Sequence, residues 1–107
     1  MDIPEYFTYF TDKPDIYDFS NPNKVQRNAF KILGSSARIA FSPRKNKKYV
    51  IVNPETNKYV HFGAMDYVDY TKHLDKKRLE KFRSRNHKWS EAEPYTPAFL
   101  SYYLLWS

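Results

Sequence analysis

Rings alternate with acids at the start of the chain, aliphatic residues then recur at helical spacing, and β-branched runs fill the middle. In the first segment Tyr6, Phe7, Tyr9, Phe10, Tyr17 and Phe19 stand among Asp2, Glu5, Asp12, Asp15 and Asp18, punctuated by Pro4 and Pro14. Prolines at that spacing oppose a long helix, so residues 1–19 read as an extended arm that either folds back over the body or docks on another subunit. From Ser20 or Asn21, with Pro22 at the first helical position, Val25, Ala29, Phe30 and Leu33 fall on one stripe before Gly34, which predicts a short helix. Arg38 to Phe41 predicts a short strand. Lys47–Asn53 and Asn57–Gly63 predict a hairpin turning through Pro54, Glu55, Thr56 and Asn57.

Beyond the hairpin, Gly63 is placed to turn the chain sharply, because a residue without Cβ adopts positive φ at little cost. Asp66 is expected to open a single helical turn through Tyr67, Val68 and Tyr70. Asp75 is expected to cap a helix from Lys76 to about Lys88, with Leu79, Phe82 and Trp89 as a narrow apolar stripe. Thr96 and Pro97 should begin a last helix over 98–106, in which Phe99, Leu100, Tyr103 and Leu104 share one face while Tyr102, Leu105 and Trp106 lie elsewhere. The sum is a small single α+β domain, residues 20–107, with a β-hairpin and a possible third strand packed by two or three short helices behind the arm.

Composition adds a function class. The 107 residues contain no cysteine, two glycines and twenty aromatics, ten of them Tyr, eight Phe and two Trp. Thiol chemistry and cysteine-ligated zinc are excluded, and two glycines build no phosphate-cradling loop. Such a supply of large stiff rings favours contact surfaces. No stretch has the roughly 18–20 apolar residues that span a bilayer, and Met1 to Phe10 carries Asp2 and Glu5 in place of a basic leader, so a protein without membrane span or export signal is expected.

The net charge of +6 hides a segregation. Residues 1–19 carry −4, residues 20–89 carry 17 basic and 5 acidic side chains, or +12, and residues 90–107 carry −2. A basic middle attracts polyanions or acidic protein surfaces. Its two concentrations are Arg44, Lys45, Lys47 and Lys48 at the mouth of the hairpin, and the helix bearing Lys76, Lys77, Lys81, Arg83, Arg85 and Lys88. On nucleic acid these would neutralise phosphates while Tyr49, Tyr59 or Tyr67 stacked on bases, and nothing in them reads base identity.

The histidines His61, His73 and His87, with Asp66, Asp69 and Asp75, follow no metal-ligand signature, and no serine sits in a nucleophile elbow. Structural histidines, no cofactor and no small-molecule substrate are expected. A metal-dependent nuclease in which His61 and His87 converge is the enzyme alternative.

The stretch from Lys47 to Trp106 resembles a small basic protein family of unknown function found in large double-stranded DNA viruses and tailed phages. The resemblance is carried by His61-Phe62-Gly63, by Asp69-Tyr70-Thr71-Lys72-His73, by the basic run from Asp75 to Lys88 with Arg78, Arg83, Arg85 and His87, and by Leu104-Leu105-Trp106. Arg85-Asn86-His87 departs from the pattern, which has Arg directly before His. The resemblance implies a viral setting, with the protein in the virion and, during assembly, in host cytoplasm or nucleus. The resulting expectation is a non-enzymatic minor virion protein, part of a large assembly. It would bind capsid proteins through the anchors Tyr6, Phe7, Tyr9, Phe10, Tyr102 and Trp106 and through its basic helix. The alternative is a sequence-independent nucleic-acid-binding protein associated with the viral genome.

Overall fold

In the computed structural model, which describes residues 13–107, the helix predicted after the first segment is α1, Pro22–Leu33. Its start is set by the Asn21 side chain, which accepts from the Lys24 amide, and by Pro22, whose missing N–H costs nothing in a first turn. Its end is set by Gly34 at φ 105°. Val25 and Ala29, one turn apart, are buried and face the sheet side of the molecule with Ile39, Tyr49 and Ile51.

That sheet is antiparallel and ordered β1 (Ile39–Phe41), β2 (Lys47–Val52), β3 (Tyr59–Ala64). The predicted hairpin is β2–β3, with Tyr49 opposite Phe62 and Ile51 opposite Val60. Its turn uses Asn57 at φ 59°, a left-handed conformation that Asn tolerates. The possible third strand is β1, so β2 becomes the central strand. Four consecutive residues of β2, Lys48 to Ile51, are buried, which requires cover on both faces.

The connection after β3 differs from expectation. Asp66 opens no helix. The helical turn starts four residues later, as α2 (Tyr70–His73), because Asp69 has the better capping position and its carboxylate accepts from the Thr71 amide. Leu74 at φ 55° ends it, and Asp75 caps α3 (Lys76–Arg85) by accepting from the Lys77 and Arg78 amides. The predicted continuation to Lys88 is instead a 3₁₀ turn, His87–Glu91.

Thr96 caps α4 (Pro97–Leu100), as predicted, but the chain then widens into a π turn, Ser101–Leu105. The Trp106 amide reaches back five residues to the Ser101 carbonyl. A π turn advances less per residue than an α turn, so Leu104 and Leu105 both enter the core with Leu100. Leu105, expected off the apolar face, is therefore a core residue. The Asn28 amide nitrogen donates to the Leu104 carbonyl at 2.9 Å and ties this terminal turn to α1.

Of the segment read as an extended arm, the described part is not extended. Pro14–Asp18 forms a 3₁₀ turn, and Ile16 is fully buried in the core beside Val25. Burying that one aliphatic side chain is worth roughly 1.5–3 kcal/mol, enough to hold a turn that prolines already bias. Tyr6, Phe7, Tyr9 and Phe10 lie outside the described residues.

Candidate functional site

One open cleft of about 680 Å³ lies between the end of β3, the loop to α2, the length of α3 and the terminal turn. Its walls are built by spacing. On α3, Arg78, Lys81, Phe82 and Arg85 succeed one another at intervals of three, one and three residues, and Trp89 follows in the 3₁₀ turn. This periodicity puts cations and rings on one face. Tyr67, Val68, Leu105 and Trp106 complete the lining.

The rings are held in a connected set. Phe82 stacks on Trp106 with centroids 4.3 Å apart and planes within 4°, and Trp89 meets Phe82 edge-on at 5.8 Å. Arg83 donates to the Trp106 carbonyl at 3.0 Å and lies over the Tyr102 ring. The predicted anchors Tyr102 and Trp106 are thus engaged within the chain. The rings left facing outward are Tyr67, 70% exposed, and Trp89, 36% exposed.

Lys48 also lines this cleft, but from within the fold. It was expected among the exposed lysines at the hairpin mouth; the structure corrects this, since Lys48 is 1% exposed. Its ammonium donates to Asp69 at 3.1 Å and to the Tyr67 carbonyl. Asp69 accepts in turn from the Thr71 amide at 3.0 Å and from the Thr71 hydroxyl. Thr71 meets Ser20 at 3.3 Å, and the Tyr49 hydroxyl donates to Ser20 at 2.7 Å. The chain of contacts pins the central strand, the start of α1 and α2 to one another.

A buried charge is tolerable only when paired and hydrogen-bonded, and this lysine has both a carboxylate and a carbonyl as partners. Burial pulls its ammonium below the ordinary lysine value, while Asp69, by charge and hydrogen bond, works against that pull. Burial also holds the Tyr49 phenol far above its usual range, so it remains a donor to Ser20. Tyr49 was expected to be available for stacking; as a core residue of the central strand it is not.

The other predicted cations separate into groups. Lys81 and Arg85 line the cleft; Lys76, Lys77 and Lys88 are exposed on α3 or just beyond it but do not. Arg83 is half-buried and committed to the terminal turn. Arg44 and Lys45 are exposed in the turn between β1 and β2, and Lys47 is half-buried beside them. Two of these act on His61: burial, then Arg44 and Lys47, push that imidazole below its ordinary value, and it bonds Ser42 at 2.7 Å.

His73 is a packing residue. Its Nδ1 accepts from the Asp75 amide at 2.9 Å, and its ring lies between Tyr70 and Trp106. Burial, then Arg78, lowers its pKa. The His87 Nδ1 lies 3.3 Å from the Ser84 carbonyl. Among the described residues no group of three or more His, Asp or Glu could hold a metal ion. No described helix is long and apolar enough to cross a membrane.

Two lining residues stand outside the sites expected from sequence: Arg78, one more cation of the basic run, and Trp89, the end of an apolar stripe. The intervals from Arg78 through Lys81, Phe82 and Arg85 to Trp89 carried the signal.

Gly63 fixes the relation between the sheet and this cleft. It was expected to turn the chain; instead it lies inside β3 at φ 85°, where a Cβ would stand 2.8 Å from Leu105 Cδ1 and 3.2 Å from Lys48 Cβ. Close approach, and not a reversal, is what glycine supplies here.

No curated protein and no solved structure matches the chain. Residues 37–89, which run from the strand before the hairpin to Trp89 at the cleft, match the model of a family of unknown function (DUF5754).

Proposed function

We propose that this is a non-enzymatic binding protein whose ligand is nucleic acid, held without regard to sequence. One observation carries the reading: the stretch from α3 into the turn after it sets the cations Arg78, Lys81 and Arg85 beside the outward-facing ring of Trp89. Phosphate neutralisation needs the former and base contact the latter. Lys76, Lys77 and Lys88 extend the positive field beyond the cleft, and Arg44, Lys45 and Lys47 add a second basic group that steers encounter. Phosphate neutralisation and ring stacking carry no base identity, so affinity should follow charge and salt, not sequence.

The test is affinity for oligonucleotides of unrelated sequence against salt concentration. A linear fall of log K with log salt, shallower in Lys81→Ala/Arg85→Ala by roughly two phosphate contacts, supports the reading. No binding at low salt would end it.

A second reading keeps the protein as a minor virion component attached to capsid proteins, within the viral setting that the sequence resemblance implies. Its support is Tyr17, 54% exposed on the body and close in sequence to the ring-rich run of residues 6–10. Tyr102 and Trp106 no longer serve it. Fractionating purified particles tests it: the protein should leave with the shell, and removing residues 1–12 should abolish incorporation while the body, which keeps Ile16, stays folded. Release with the genome would favour the first reading.

A further inference from the structure

Resting on the nucleic-acid reading above, we infer that the cleft takes a single strand, with one unpaired base inserted against Tyr67 and Trp89 and its flanking phosphates on Arg78, Lys81 and Arg85. The outward-facing rings of the cleft stand on separate elements, Tyr67 on the loop after β3 and Trp89 beyond α3, and both line it. Rings set inside a concavity meet a base only when that base leaves its stack, as duplex bases do not. At about 680 Å³ the cleft lies within the roughly 300–1,000 Å³ typical of small-ligand sites, which suits one nucleotide better than a groove-spanning duplex.

Charge gives the orientation. The three cations lie along seven residues of helix, roughly 10 Å, at the rim. The lining also carries the exposed Asp66 and the buried Asp69, and Lys48 is already committed to Asp69. A phosphate there would meet carboxylates. A neutral base would not, and the stacked Phe82–Trp106 pair gives it an apolar end wall. Stacking accepts any base, so the inferred site stays sequence-independent.

The experiment is fluorescence anisotropy of a labelled 12-nucleotide single strand and of the matching duplex, at low and moderate salt, with the full chain. Tyr67→Ala and Trp89→Ala remove exposed side chains and leave the core untouched. Each should weaken single-strand binding about 5- to 150-fold, the range that stacking one base on one ring supplies, and leave duplex binding and the salt slope unchanged. Trp89→Phe should recover much of the loss. Lys81→Ala/Arg85→Ala should weaken both ligands and flatten the slope. Equal affinity for duplex and single strand, with ring variants indistinguishable from the parent, overturns the inserted base while leaving the nucleic-acid reading intact. Absence of binding to either at low salt overturns both.

Discussion

Lys48 and Lys81 line the same cleft, yet one belongs to its floor and the other to its rim. Lys48 is held by Asp69 and the Tyr67 carbonyl inside a dry network, whereas Lys81 projects into solvent from α3 without an ion pair among the described residues. A lysine in a central strand has both faces of a sheet closed over it, and one on the free side of a helix has only water. The same residue type thus serves stability in one place and, on the proposed function, recognition in the other.

Breaking the floor should have the largest effect. Lys48→Met leaves the Asp69 carboxylate buried without its counter-charge, and a loss of about 3–5 kcal/mol in denaturant unfolding is expected. Lys48→Met/Asp69→Asn should recover most of it, because a neutral amide still accepts from the Thr71 amide. If the double variant is no more stable than the single one, charge pairing is not what holds this region together.

Gly63→Ala comes next. It puts a methyl group against Leu105 and Lys48 at a positive φ, and about 1–3 kcal/mol should be lost. Tyr49→Phe removes only the hydroxyl that donates to Ser20, and about 1 kcal/mol is expected. Lys81→Ala, at the rim, should stay within about 0.5 kcal/mol of the parent while weakening binding. A rim variant as damaging as a floor variant would erase the distinction.

Acidity gives the finest division. His73 is kept below its ordinary pKa by burial, Arg78 and Lys48, against the pull of Asp75 and Asp69. The unfolded chain therefore takes up the proton first as pH falls through the ordinary histidine value near 6.5. Stability should be unaffected by this group above that value and decline below it, until the folded ring titrates too. His61, lowered by burial, Arg44 and Lys47, acts with the same sign. The melting temperature should be lower at pH 5.5 than at 7.5, and His73→Gln should narrow the gap.

The legible parts of this fold were those written in local code. Pro22 after Asn21, the hairpin with Asn57 in its turn, Asp75 before a basic run and Thr96-Pro97 each fix an element within a few residues, and each stands where expected. What escaped depended on partners distant in sequence. Lys48 looked like one more solvated cation because its counter-charge is 21 residues away and its burial comes from becoming the central strand. The π turn that brings Leu105 inward breaks the 3.6-residue period by which faces are read. Of the site, the charge on α3 and the candidate ring Tyr67 were visible, but their meeting in one cleft was not, since a loop carries no periodicity. Ile16 was lost among the rings and acids around it, although it is the one aliphatic residue there between two prolines.

The shortest route between the sheet and the aromatic wall is a missing methyl. With hydrogen alone at position 63, Leu105 settles onto the strand, and its neighbour Trp106 comes to rest flat on Phe82. A larger side chain would lift the last turn as a wedge lifts a hinge, and the indole would slide off the phenyl ring. The shape of the cleft is therefore governed from the strand, by a residue that lines it with hydrogen alone.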